Sequence, residues 1–229
     1  MRSQFKKWLI AAAMAVSLPA VSLAAPGGFG FDKNRLVIED GHTSGSFSLR
    51  NANETGLLIR AHVEDFNQVL TQQAQARPRL FQVRGGGTGR VRIDVNPKGL
   101  PTDRETQFWL YTKAFPAIDL KQDQQNQIQI NFVTRLKVFY RPKGLKVKIE
   151  EAVRDLNWKR EEGRLVAENN SPLNVTIVSI TQNGKRQSVS HVIKPFSRWV
   201  TNTKAAPGHM KWQSINDQGG VIEYEGNLR

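Results

Sequence analysis

Any chemistry in this chain must come from its histidines, its carboxylates or its closely spaced cations. His42, His62, His191 and His209 are scattered, and none forms an HExxH pair or another metal-ligand spacing. The chain has no cysteine, so no thiolate site can be built. Asp65, Asp94, Asp103 and Asp119 show no paired arrangement for general acid–base work. The run GGGTG at 85–89 lacks the lysine and Ser/Thr of a phosphate loop, and no GxSxG elbow occurs. What remains is NFVTRLKVFYRP at 131–142, where polar and apolar residues alternate and Arg135 and Lys137 stand two apart. On a strand these cations share one face, with Leu136 and Val138 on the other. A lysine lining a cleft requires an anionic partner. Such cations could offer binding to an anion, but the plain reading of the residues is a solvated sheet face, a cleft-lining lysine being much rarer.

The same alternation reaches back through QIQI, so Ile128, Ile130 and Phe132 share a face. Read from the residues alone, that face could be the domain's own core. The elements that must hold this strand are also short alternating runs. FDKNRLVIEDG and SGSFSLRNANE turn at Asp40-Gly41 and at 51–54, and LLIRAHVEDFNQV is anchored by Leu58, Val63 and Phe66. Val91, Ile93 and Val95 mark one face of the next strand, residues 97–101 a turn, and Phe108 to Tyr111 a short strand closed by Pro116. LTQQAQA is the weak exception, with helix-favouring glutamine and alanine cut off by Pro78, and a loop fits it equally. KQDQQNQ is a hydrophilic loop. At 141–144, RPKG makes a stiff corner, because proline fixes its own φ and restricts the residue before it. Beyond it LKVKIEEAV and six further short runs repeat the strand-and-turn theme. No helical period is sustained, which predicts an all-β sandwich or barrel in each half.

The chain has 229 residues, enough for one large or two small cores. Arg2, Lys6 and Lys7 precede an apolar stretch from Trp8 to Val16 and a small-residue signature at Ser22-Leu23-Ala24, the pattern of a secretory signal peptide over 1–24. The mature chain then starts near Ala25, and no later segment is apolar enough to predict membrane insertion. The formal charge of +13 falls to +10 when those three cations are removed. Export makes nucleic acid a poor partner for this charge and leaves peptide carboxylates, acidic proteins and anionic lipid surfaces. An exported chain without cysteine must stand on its cores alone, a combination that suits a bacterial periplasm.

LPTDRETQFWLY at 100–111 and LKVFYRP at 136–142 closely resemble the periplasmic chaperones of the chaperone–usher pathway. The resemblance extends over nearly all of the mature chain and is stronger in its first half. It implies two immunoglobulin-like β-sandwiches at roughly a right angle, here over 25–141 and 142–229, with a cleft between them. It also implies pilus or fimbrial subunits and an outer-membrane usher as partners, with no catalysis and no cofactor or metal. Matched residue by residue, the cleft arginine of the family falls on Arg35 and its cleft lysine on Lys137. That pair anchors the carboxylate at the C-terminus of the subunit. The donor-strand residues fall on Ile128, Ile130 and Phe132, which fill the subunit's incomplete core. The short connection from Pro116 to Ile128 resembles the short-loop class. Some members carry a disulfide in the second domain, which this chain cannot form.

Two other readings use the same β-rich exported chain. An adhesin of the sandwich class would bind its ligand with the basic face and needs neither Arg35 nor Lys137. A pilus subunit would need an N-terminal donor segment, and APGGFG at 25–30 is too short and glycine-rich for one.

Overall fold

The computed structural model describes residues 28–116 and 131–228, and it is built almost wholly of strands. In the first half these are β1 (Phe29–Phe31), β2 (Arg35–Ile38), β3 (Ser44–Asn51), β4 (Leu57–Glu64), β5 (Ala74–Arg77), β6 (Leu80–Val83), β7 (Thr88–Val95), β8 (Thr106–Pro116) and β9 (Phe132–Tyr140). They form one sheet in the order β1-β3-β7-β5 and another in the order β2-β9-β8-β4-β6. Leu36, Phe47, Val63, Val91, Ile93, Phe108, Leu110 and Val138 are buried between them. The second half has one helix, α1 (Ile149–Arg154), and then β10 (Asn157–Glu161), β11 (Arg164–Asn169), β12 (Val175–Gln182), β13 (Lys185–Ile193), β14 (Ser197–Lys204), β15 (Gly208–Ile215) and β16 (Val221–Leu228). Their sheets run β10-β11-β14 and β13-β12-β15-β16, around a separate core that includes Leu165, Leu173, Ile177, Ile180 and Trp212. This is a two-domain β-sandwich fold.

Alternation decides what is inside. Val91, Ile93 and Val95 face the core as the sequence predicts. On β4 the buried apolar set is Leu57, Ile59, Ala61 and Val63, so Leu58 points outward and Phe66 lies past the strand's end. The run Leu57-Leu58-Ile59 is apolar on both phases, and only pairing to β6 and β8 selects one. The QAQAR segment is neither helix nor loop. Ala74 and Ala76 are buried and β5 pairs with β7, so tertiary pairing overrides a weak local preference. β8 continues past Tyr111 because it pairs with β9 as far as Ala114 and with β4 as far as Pro116. LKVKIEEAV ends in a helix instead of a strand: Ile149, Ala152 and Val153 are buried at helical spacing, and the Glu151 carboxylate accepts from the Lys148 backbone N–H.

Two buried asparagines secure matching corners. Asn51, ending β3, donates to the carbonyls of Thr55, Val83 and Arg84. Asn169, ending β11, donates to those of Leu173, Ile193 and Lys194. Each gathers otherwise orphaned carbonyls with one amide. At the β6–β7 turn, Gly85 has no substitute, since a Cβ there would collide with the Glu54 carbonyl.

Candidate functional site in the cleft

Among the described residues, all strand pairings in the two sandwiches are antiparallel except that of β2 with β9, and this exception positions the cations. Arg35 is the Cα partner of Lys137, and Leu36, paired with Val138, faces the core. In parallel register, partners point to the same face, so Arg35 and Lys137 stand side by side on the outer face. Across β9 the row continues to Trp109 and then to Glu64 on β4.

Arg35 is almost fully buried. Its Nη1 donates to the carbonyl of Ile215 in the second domain at 3.2 Å, and its guanidinium lies 5.6 Å from the Phe139 ring centroid. Its Nε is buried with no hydrogen-bond partner. Burial pushes the arginine's pKa down, against the pull of Asp217 and Glu105. The Lys137 ammonium sits 5.4 Å from the Trp109 ring centroid. Burial first, and then the adjacent Arg35 charge, bring its pKa down to about 8. Among the described residues neither cation forms an ion pair. Arg135 differs: its Nε donates to Glu64 Oε2 at 3.1 Å, and its guanidinium packs on Tyr111. Glu64 also meets His62 at 3.0 Å. One of the two strand cations therefore has its own counter-ion, while the other stands beside a second positive charge and forms no ion pair among the described residues.

β9 pairs with β8 from Phe132 to Tyr140, but with β2 only from Lys137 onward. Over Phe132–Leu136 its other edge has no partner strand among the described residues. Phe132 is 43 % exposed and Val133 51 %. Phe132 rests edge-on against Phe29 of β1 at 5.7 Å, and a groove lined by Phe31, Asn34, Thr134 and Leu136 separates the two edges. Ile128 and Ile130 lie outside the described residues.

The part of the site that the sequence reading missed is the clamp under it. Arg141 is buried and reaches Glu105 at 2.9 Å, Glu39 at 2.8 Å and Asp217 of the second domain at 3.0 Å. Burial lowers its pKa, but Asp217 and Glu105 outweigh it and the net shift is upward. Glu105 also accepts from the backbone and side-chain nitrogens of Asn174, both at 2.9 Å. Pro142 is buried as well, and Gly144 takes a φ of 100°, so the corner is stiff. Both ends of this clamp lie in the two motifs quoted above, as the arginine of FYRP and the glutamate of LPTDRE.

Of the remaining candidates, His42 is exposed and the others that the structure describes have structural partners. His191 stacks on Trp199, His209 meets Glu225, and Asp65 caps the Val69 N–H. Asp94 pairs with Arg92 and Asp103 with Arg104, while Asp119 lies outside the described residues. No group of three or more potential metal ligands occurs among the described residues. No helix among them is long and apolar enough to cross a membrane.

The described residues thus combine two β-sandwiches, a strand edge without a partner strand, and two cations without an ion pair where that edge ends. The chain belongs to the PapD-like family of pilus-assembly chaperones, the chaperones of the chaperone–usher pathway. Residues 28–146 match the N-terminal domain of the pili and flagellar-assembly chaperone PapD, and residues 151–226 match the PapD C-terminal domain. It is a family of chaperones and not of enzymes. Among curated relatives, the chaperone protein FocC of Escherichia coli is 27% identical over 86% of this chain and 88% of its own. The probable fimbrial chaperone LpfB of Escherichia coli O157:H7 is 28% identical over 92% and 93%. Among solved structures, the CupB2 chaperone of Pseudomonas aeruginosa superposes with a TM-score of 0.74 at 25% identity, covering 87% of this chain and 100% of that one. A chain from the complex of Salmonella enterica SafA pilin with the SafB chaperone reaches 0.80 at 23% identity over 88% and 97%, a likeness of fold.

Proposed function

We propose that this chain is a periplasmic chaperone, exported behind the signal peptide at 1–24, that captures pilus subunits by donor-strand complementation and delivers them to an outer-membrane usher. Residues 25–141 form the donor domain and 142–229 the far wall of the cleft. Arg35 and Lys137 take the subunit's terminal carboxylate, and Ile128, Ile130 and Phe132 enter its unfilled groove. The protein is a binder and not an enzyme. Its cleft offers cations, rings and a strand edge, with no nucleophile–base pair among the described residues.

The observation that carries this reading is the meeting of two features at Lys137. There the unpaired edge of β9 ends, and there two positive charges stand side by side with neither in an ion pair among the described residues. A strand added along Phe132–Leu136 would satisfy backbone groups and cover apolar side chains together. Each large side chain buried in the partner contributes about 1.5–3 kcal/mol before ordering costs. A carboxylate between the cations would receive charge-assisted hydrogen bonds and fix where the added strand starts. The test is a double-mutant cycle of Arg35→Ala and Lys137→Ala against a peptide copying the last residues of a pilus subunit, as free acid and as amide. Each single variant should weaken the acid by about 1.5–3 kcal/mol, with strong non-additivity, and the amide should bind weakly to all forms. Additive losses, or equal affinity for acid and amide, would remove the carboxylate anchor.

A further inference from the structure

The outer face of the other first-domain sheet carries a charge pattern that neither the fold nor the cleft explains. Arg50 on β3, Arg90 and Arg92 on β7 and Arg77 on β5 all point outward, away from the core. Their inward neighbours, Phe47, Leu49, Val91 and Ile93, make the core, so the arginines contribute nothing to packing. Arg77 and Arg92 are direct cross-strand partners, an arrangement of like charges that costs stability. Asp94 is the carboxylate that reaches either of them, at 3.4 Å and 2.6 Å. Arg50 and Arg90 form no ion pair among the described residues. Asp94 relieves the Arg77–Arg92 pair, and Arg50 and Arg90 are left to be neutralised from outside.

The side chains between the arginines indicate what kind of partner fits. The outward positions of β3 and β7 near them are Ser46, Ser48 and Thr88, with Ser46 opposite Arg92 and Ser48 opposite Arg90. No outward side chain on β3, β5 or β7 is apolar. A protein partner would be expected to find an aromatic or aliphatic centre, and the outward side chains of these three strands offer none. The apolar groove lined by Phe29, Phe31 and Leu49 lies at the β1 edge of the sheet, beside Arg50. Short hydroxyl side chains leave the guanidiniums clear of obstruction. Neighbouring strands stand about 5 Å apart, and alternate residues about 7 Å apart along a strand, so the charges form a shallow array and not a pocket. Arginine at all four positions favours planar, bidentate contact with phosphate.

We infer that this sheet face docks the chaperone on an anionic phospholipid surface. It belongs to the sheet that does not carry Arg35, Lys137 or β9, so a docked molecule keeps its cleft and donor edge open. The contact is peripheral. Exposed arginines lie against headgroup phosphates, and nothing enters the hydrocarbon.

The experiment uses protein beginning at Ala25, co-sedimented with vesicles of phosphatidylglycerol and phosphatidylcholine, and with phosphatidylcholine alone. Binding should require the anionic lipid and should be released as salt rises from about 0.1 to 1 M. Arg50→Ser, Arg90→Ser and Arg92→Ser should each lower partitioning about fivefold, and the triple variant about a hundredfold. Affinity for the pilus-subunit peptide should stay unchanged in all of them, which separates this face from the cleft. A control with the same loss of charge, Lys143, Lys146 and Lys185 all to serine, should retain most of the binding. An equal loss in that control would reduce the effect to net charge and overturn the assignment. So would failure of wild-type protein to bind anionic vesicles, or a preference for soluble polyglutamate over them.

Discussion

Arg35 and Lys137 are partners across the parallel strand pair of the first sandwich, and neither forms an ion pair among the described residues. Two like charges held side by side in a half-buried site oppose folding of the free protein. Lys137 carries the mark of it, with its pKa brought down to about 8 from 10.5 by burial and by Arg35. Replacing it with an uncharged chain of similar length should therefore stabilise the molecule. Lys137→Met is expected to gain about 1–2 kcal/mol at pH 7, discounted from the full shift for solvent screening. Denaturant titration of the free chaperone reads this directly. A loss of stability would mean that the ammonium is satisfied in the free protein.

The same shift sets a pH window. Between about pH 8 and 10.5 the unfolded chain holds a proton on Lys137 that the folded chain has lost, so stability from this group rises with pH across that interval. Binding runs the other way. A carboxylate needs the ammonium, so affinity for a free-acid peptide should be level below pH 8 and should fall above it, by up to about tenfold per unit. Calorimetry from pH 6 to 10 checks both the fall and its absence in Lys137→Met.

Phe132 should separate folding from capture. It is 43 % exposed and touches Phe29 edge-on, a contact contributing about 0.5–1.5 kcal/mol. Phe132→Asp is expected to cost the free protein no more than that. In the subunit groove the carboxylate would be desolvated without a partner, at several kcal/mol, and complex formation should fail. Circular dichroism and co-purification with a pilus subunit test the two halves. Unfolding of the isolated variant would place Phe132 in the chaperone's own core.

Arg141 should behave in the opposite way. Removing it leaves Glu105 buried beside Asn174 with its strongest partner gone, so Arg141→Ala is expected to destabilise by about 3–5 kcal/mol. Since Asp217 is released as well, small-angle scattering should report a wider distribution of domain separations. A variant of wild-type stability would mean the clamp is solvated in solution.

Much of the site was legible because its residues sit in two compact motifs. Arg135, Lys137 and the alternating apolar positions of β9 follow from period alone, and the core face of β7 does too. What period could not supply was topology. That β2 joins β9 only from Lys137 onward depends on a pairing between residues about a hundred positions apart, and this pairing creates the open edge. The phase of β4 failed for a related reason, since Leu57-Leu58-Ile59 offers two equivalent faces until neighbours choose one. α1 is a six-residue helix, too short for a helical period to stand out against the alternation around it. The fate of Arg35 was legible only through the family motif, because a lone arginine on a short strand carries no local signal.

β9 also measures distance. Phe132 shares the face of Leu136 and Val138, which are in the chaperone's own core, while Lys137 looks the other way. On the proposed reading one strand face changes owner along its length, and the pleat locks the donor side chain and the carboxylate anchor in phase. Inserting or deleting one residue between Phe132 and Lys137 would turn the donor side chain out of the groove while leaving the charge in place. Inserting two would preserve both faces but slide the captured chain by roughly 7 Å, about one groove position. The strand works as a ruler graduated in pairs of residues, and length changes at this point in the chain come in two kinds, those that misalign the partner and those that reject it.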